Sequence, residues 1–308
     1  MSAKYNRQIR HPLAEVFGFP TGNFSDLAKR HRKHRLCPYN NRVPSCTKDK
    51  ASNPLGVCAI FEGAKKEIAI TCPIRFRQDW IIAEDAASFF FEDGVNWTSL
   101  NEVRLLDQSG DVAGNIDLVF VSYDISGKVL DFGALEIQAV YISGNIRKPF
   151  EAYIKNAPTK FDMDWSKERN YPRPDYLSSS RKRLVPQLIY KGGILKSWNK
   201  KMAVVIHKNF YDTLPKPPKV DRHGADIAWL IYDLKYVSDL DRYQLIKTDV
   251  IYTLFRPSLE IITNANAGPL SEGSWRQEFI DHLQGKLDEK LEANPPDVHV
   301  LFDKEELT

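Results

Sequence analysis

Three stretches in the middle of the chain, residues 99–107, 115–123 and 129–141, are rich in apolar and β-branched residues. Gly110 and Gly127 punctuate the connections between them. That pattern predicts consecutive β-strands. Two shorter strand-like pieces precede them, at 56–61 and 67–72, with Glu62, Gly63 and Ala64 reading as part of a hairpin turn. Residues 77–91 read as a helix with Trp80, Ile81, Phe89 and Phe90 as its apolar positions. After the three strands the signals turn helical at 147–156. A loop with Pro158, Pro172 and Pro174 covers 156–178. A second helix is predicted over 179–198, with Pro186, Gly192 and Gly193 arguing against a straight one. Strands return at 201–207, 226–232 and 244–255, with a proline-rich loop at 214–218. A last helix begins near Ser274, where the run from Ser274 to Gln277 matches a capping box. Residues 1–55 read as irregular. Strands first, then alternating helices and strands, predict an α/β (α+β) fold with a central mixed β-sheet flanked by helices.

Composition bounds this picture. With 308 residues, 43% of them hydrophobic, the chain can bury a core in one large domain or two smaller ones. No apolar run approaches the roughly 18 residues of a membrane-spanning helix. The first residues lack the apolar stretch of a secretory signal. A cytoplasmic protein with no membrane partner is therefore expected. The net charge of +3 implies no partner by itself. Its distribution says more. Residues 29–35 form a dense basic run, Arg181, Lys182 and Arg183 a second, and Arg147 and Lys148 follow the third strand. These are candidate phosphate contacts in a DNA-binding protein, set against the plainer reading of basic runs as solvated surface.

All four cysteines, Cys37, Cys46, Cys58 and Cys72, fall within 36 residues. Clustered cysteines in a cytosolic protein are more often metal ligands than disulfides. Thiolates suit a tetrahedral Fe or Zn site. The gaps of eight, eleven and thirteen residues lack the paired C-x-x-C knuckle. The alternative is four buried free thiols.

Asp117, in Asn115-Ile116-Asp117-Leu118-Val119, and Glu136, in Leu135-Glu136-Ile137-Gln138, each place an acid inside an otherwise apolar strand. Alternation points Glu136 and Gln138 one way and Leu135 and Ile137 the other. A carboxylate among core residues is costly unless paired or bound to a cation. Two of them on neighbouring strands can hold Mg²⁺ through oxygen, and phosphodiester hydrolysis uses such an ion. Glu102 is a candidate third acid. Edge-strand acids or a structural ion pair are the bland alternative.

From about residue 12 to 150 the chain resembles the NotI restriction endonucleases of the PD-(D/E)xK nuclease superfamily. The resemblance rests on the four cysteines before the core, on Asn101-Glu102-Val103-Arg104, and on Asn115-Ile116-Asp117 followed by Leu135-Glu136-Ile137-Gln138. It continues loosely through residues 141–145 and 180–187. It implies that Asp117 and Glu136 are the acidic Mg²⁺ ligands, that Glu102 joins the active site, and that Gln138 stands where most of the superfamily has lysine. It implies a mononuclear iron on the four cysteines, with zinc left open. It also implies a type II restriction endonuclease, a homodimer cutting double-stranded DNA at a GC-rich palindrome, with 5′-phosphate and 3′-hydroxyl ends and a cognate methyltransferase in the same restriction-modification system. The expected layout is an N-terminal four-cysteine region over 1–75 and a nuclease core with DNA-recognition elements over 76–308. The rivals are a non-catalytic, metal-stabilised DNA-binding protein and a sequence-nonspecific repair nuclease.

Overall fold

The computed structural model describes residues 11–40, 43–50, 52–62, 67–264 and 274–292. Six strands form one mixed sheet. Their spatial order is Arg242–Thr253, Ile227–Val237, Met202–His207, Val129–Gln138, Val112–Tyr123 and Trp97–Leu106. Met202–His207 runs parallel to both of its neighbours, and the other pairings are antiparallel. Parallel neighbours need a crossover. Between Val129–Gln138 and Met202–His207 it consists of the helix Arg147–Lys155 and a helical run from Tyr176 to Ser197.

Helices cover both faces of the sheet, which is why all six residues of Met202–His207 are buried. On one face Leu118, Phe120, Leu135, Ile137, Ala203 and Val205 pack against Ala83, Ala86, Phe89 and Phe90 of the helix Ile81–Phe90. On the other, Ala134, Val204, Ile206 and Trp229 meet Leu184, Leu188 and Leu195 of the helical run. Gly133 lets the first helix come close: a Cβ there would lie 2.4 Å from the Phe90 ring.

The three central strands, the hairpin pieces, the strands near 202, 227 and 244, and the helix from Ser274 follow the sequence pattern. The turn residues Gly63 and Ala64 lie outside the described residues. Other elements depart from it. The expected helix over 77–91 starts only at Ile81, because Asp79 and Trp80 take left-handed backbone angles and break it. The helical run survives Pro186 by widening. Ser180–Leu184 and Leu188–Gly192 are π turns flanking Val185–Gln187, so a wide turn lies just before the proline that cannot donate a backbone N–H.

The first 55 residues, expected to be irregular, hold regular structure. Leu13–Val16, Phe19–Pro20, Val57–Phe61 and Ile68–Ile70 form a small antiparallel sheet. The basic run lies on the helix Asp26–His34, capped by Ser25, whose Oγ accepts from the Ala28 N–H. Leu13, Val16, Phe17, Val57 and Ile60 share a core with Phe150 and Tyr153 of Arg147–Lys155. The described residues up to Thr263 belong to one compact unit. The 19-residue helix Ser274–Glu292 belongs to a second.

Candidate active site

Strand register brings the three acids into one row. Asn101 lies opposite Leu118 and Val103 opposite Ile116, so Glu102 falls across from Asp117. Leu118 lies opposite Leu135, so one step further the row reaches Glu136. The ladder between the Asp117 and Glu136 strands stops at that step. There the Ile137 N–H donates to Asp117 Oδ2 at 2.8 Å, a side-chain carboxylate taking the place of a backbone carbonyl. The strands part around this carboxylate. Glu136 and Gln138 are 1% and 2% exposed, and they share the face of Ala134, the one under the helical run. Glu102 is exposed, and its φ of +54° is unusual for a side-chain-bearing residue in a strand.

The helical run meets this row with side chains that motif reading did not single out for it. Lys191 Nζ donates to Glu136 Oε1 at 2.8 Å, to Glu136 Oε2 at 2.9 Å and to the Asn115 carbonyl at 2.6 Å. An ammonium has three hydrogens, so these contacts use them all. Gly114 makes room: at its φ of +128°, a Cβ would come within 3.1 Å of Lys191 Cε. Four residues earlier, Gln187 Oε1 accepts a hydrogen bond from Gln138 Nε2. Four earlier again, Arg183 lowers the Asp117 pKa through its charge and lies 4.8 Å over the Tyr141 ring. A signal for Lys191 was present in the sequence. Leu184, Leu188, Lys191 and Leu195 repeat at helical spacing, so a lone lysine sits on the buried stripe.

Charge at the row is unbalanced. Burial pushes the Glu136 carboxyl up to about 8, the negative charge of Asp117 pushes the same way, and Lys191 opposes both. Burial also raises Asp117, against the Ile137 N–H and the charges of Lys191, Arg77 and Arg183. Two acids, Glu136 buried and Asp117 half-buried, share one buried ammonium, and the raised Glu136 pKa shows that a proton is held there when no other cation is. Such a pair suits a hard divalent cation, and Mg²⁺ commonly needs only one or two protein carboxylates. Asp117 and Glu136 fit as that pair. Among the described residues, no group of three or more His, Cys, Asp or Glu is arranged to hold a metal ion.

That statement covers the cysteines too. Cys46, Cys58 and Cys72 are buried, Cys37 is half-buried, and none forms a disulfide. Burial raises the Cys37, Cys46 and Cys58 thiols, Cys37 to about 11. The Cys58 thiol is raised further by the charges of Glu15, Cys72, Cys37 and Cys46. The four are thus electrostatic neighbours, but they are not drawn into a ligand cluster. Lys48 lies half-buried near them, donating to the Val57 carbonyl at 2.6 Å and to Thr71 Oγ1 at 3.1 Å. The charges of Cys72, Cys58 and Cys46 support its positive form against burial.

The candidate phosphate contacts differ in their surroundings. Arg181, Lys182 and Arg183 are exposed on the helical run. Arg147 is tied to Asp49 and Glu151. Lys148 pairs with Glu168 at 2.8 Å and lies over Trp165. In the basic run Arg32 is buried, donating to the Asn23 and Pro20 carbonyls, while Lys29, Arg30 and Lys33 face solvent.

The family model described as Restriction endonuclease NotI matches residues 23–245, a span that takes in the four cysteines, the three acids, Gln138 and the helical run. No curated protein matches.

Proposed function

Because the chain belongs to the NotI restriction endonuclease family, and is thereby a nuclease acting on DNA, we propose that it is a type II enzyme. It cuts both strands at a GC-rich palindrome in the presence of Mg²⁺, leaving 5′-phosphate and 3′-hydroxyl ends. The observation that carries the reading is the row of Glu102, Asp117 and Glu136 at the point where two strands part.

Asp117 and Glu136 would hold Mg²⁺, which when bound supplies the positive charge that helps a phosphodiester accept a nucleophile. The Ile137 N–H fixes one Asp117 oxygen, so that carboxylate enters the reaction already oriented. Gln138 has neither a charge to lend nor a site to accept a proton. Its amide nitrogen is engaged by Gln187, which leaves its oxygen to orient a water or another donor. Arg183, whose charge reaches Asp117, is an exposed basic side chain placed to meet a phosphate near the acids. Arg181 and Lys182 extend that positive surface, and Arg147 and Lys148 add to it if DNA displaces their acidic partners. Reading guanine falls to arginine, which bonds O6 and N7 together.

Cys37, Cys46, Cys58 and Cys72 are proposed to hold one structural Fe or Zn. The donor set suits either ion, and the half-buried Lys48 is the cation that offsets thiolate charge. A homodimer matches the two-fold symmetry of a palindrome. A methyltransferase of the same specificity is the expected companion. The test is digestion of a plasmid of known sequence with Mg²⁺, followed by mapping of the ends. Discrete fragments with 5′-phosphates support the proposal. A smear points to a nonspecific nuclease, and Mg²⁺-independent binding without any cleavage points to a DNA-binding module.

A further inference from the structure

Lys191 is a buried cation that the proposed chemistry has not yet used. Its surroundings differ from those of an ordinary structural ion pair in three respects. First, the carboxylate it holds is already crowded by a second one, Asp117. The one ammonium therefore serves two acids, since its charge also favours the ionised form of Asp117. Second, the chain makes a specific accommodation for it. Gly114 takes a backbone angle that side-chain-bearing residues rarely adopt and leaves open the space beside Lys191 Cε. Third, position 138 lies two residues along the same strand, with its side chain on the Glu136 face. Gln138 is turned to Gln187, one helical turn before Lys191. A strand-borne lysine at 138 would bring its ammonium toward the same carboxylates from the strand side. Here glutamine occupies the strand position, and the ammonium arrives from the helix.

We propose that Lys191 is the lysine of this active site: a positioning residue, carried by the helical run, that fixes the Glu136 carboxylate and supplies the positive charge missing at position 138. The assignment rests on the nuclease reading above. The wide turn Leu188–Gly192 contributes to the delivery. A π turn changes the angular position of the residues it contains, and such turns often occur at functional sites. The Lys191 side chain is only 7% exposed, so its charge is held by Glu136 and Asn115 and does not belong to the basic surface of Arg181 to Arg183.

The experiment moves the lysine back to the strand. Four proteins are compared: wild type, Lys191→Met, Gln138→Lys with Lys191→Met, and Gln138→Lys with Lys191→Gln. Two quantities are read: single-turnover cleavage with Mg²⁺, and the melting temperature in buffer without added Mg²⁺. Lys191→Met should cut at least about a hundredfold more slowly, the scale at which a preorganised charge acts in a buried site. It should also melt several degrees lower, since it leaves a buried carboxylate without its partner. Adding Gln138→Lys should recover at least about tenfold of the lost rate together with part of the melting temperature. Recovery of stability without recovery of cleavage would show that Lys191 is only structural and overturns the proposal. Cleavage by Lys191→Met within about threefold of wild type overturns it as well. If Lys191→Met does not fold, the second double variant decides: folding and cutting support relocation, and failure to fold overturns it. A wild-type protein that cuts no DNA sinks the nuclease reading instead, and the melting temperatures still report whether Glu136 accepts its lysine from either element.

Discussion

Two buried carboxylates in this protein are held by buried cations, and they are held differently. Glu15, in the small N-terminal sheet, meets Arg75 at 2.7 Å with both side chains fully buried. All three Arg75 nitrogens are engaged: it also donates to Gln78 Oε1 at 2.8 Å and to the Tyr243 carbonyl at 2.9 Å, and it stacks 4.3 Å from the Tyr39 ring. Burial alone would lower its pKa, and Glu15 and Tyr39 together more than reverse that. The charges cancel within the pair, which ties the N-terminal sheet to the edge strand Arg242–Thr253. Glu136 has a comparable partner in Lys191, but Asp117 beside it gives the site two acids for one ammonium, and the Glu136 carboxyl is pushed up to about 8. A closed pair holds elements together. An open one is a place where a cation from solution can bind. Burial and distance are nearly the same in both; the third charge makes the difference.

The comparison breaks most visibly under mutation of the open site. Asp117→Asn or Glu136→Gln should lower Mg²⁺-dependent cleavage by at least about a thousandfold, because each removes a charge needed only when the reaction runs. Circular dichroism should show a folded protein in both cases. Near wild-type cleavage in either variant would show that the row is not the active centre.

The closed pair should answer in stability instead. Arg75→Met strands Glu15 in the interior without its counter-charge, a change that typically costs about 3–5 kcal/mol. Chemical denaturation should report that loss. Any fall in cleavage should track the unfolded fraction and vanish at low temperature. A fully stable Arg75→Met protein would mean that Glu15 finds another partner or takes up a proton.

A third buried ionisable group shows another way to avoid uncompensated charge. His11 packs edge-on against Phe61, with ring centroids 5.5 Å apart. Burial lowers its pKa to about 4, against a weaker opposing pull from Asp162. It therefore sits in the fold uncharged. Its folded-state pKa lies below the unfolded one, so its contribution is complete above about pH 6.5 and is lost as pH falls towards about 4. The expected loss is about 3 kcal/mol over that window. Denaturation curves of wild type and His11→Gln at several pH values should converge at the acid end. Parallel curves across the whole range would show that His11 is not buried as a neutral ring.

Sequence pattern reached the open site only from one side. Asp117, Glu136 and Gln138 stand out because polar residues interrupt apolar strands, and the strand order then follows from period and punctuation. Lys191 and Gln187 stayed hidden because their significance depends on which strand the helical run crosses, a long-range fact. The N-terminal pieces were missed for a different reason: strands of two to four residues are too short to show a period. The helix Phe255–Thr263 has no counterpart in the sequence pattern, which ends a strand at residue 255 and assigns nothing beyond it before Ser274. Its start is marked by Asp226, whose Oδ2 accepts from the Phe255 N–H at 2.9 Å across 29 residues of sequence. A cap supplied from so far away leaves no local signal.

The smallest effect is also the most specific to the comparison. Asp117→Asn removes the second acid while keeping an oxygen that can accept from the Ile137 N–H. Glu136 and Lys191 are then left as a one-to-one pair, and the open site becomes a closed one like Glu15 and Arg75. Without added Mg²⁺ the variant should be more stable than wild type by about 1 kcal/mol, the usual size of the stability gained when a functional site is relaxed. Adding Mg²⁺ should stabilise wild type, because an ion that binds only the folded state shifts the equilibrium towards it. The same Mg²⁺ should do much less for the variant, which lacks one acidic ligand. Parallel denaturation series without and with Mg²⁺ measure both differences at once. If Asp117→Asn is less stable than wild type without Mg²⁺, Asp117 is itself a structural anchor between the parted strands. The contrast between open and closed pairs would then fail at its centre.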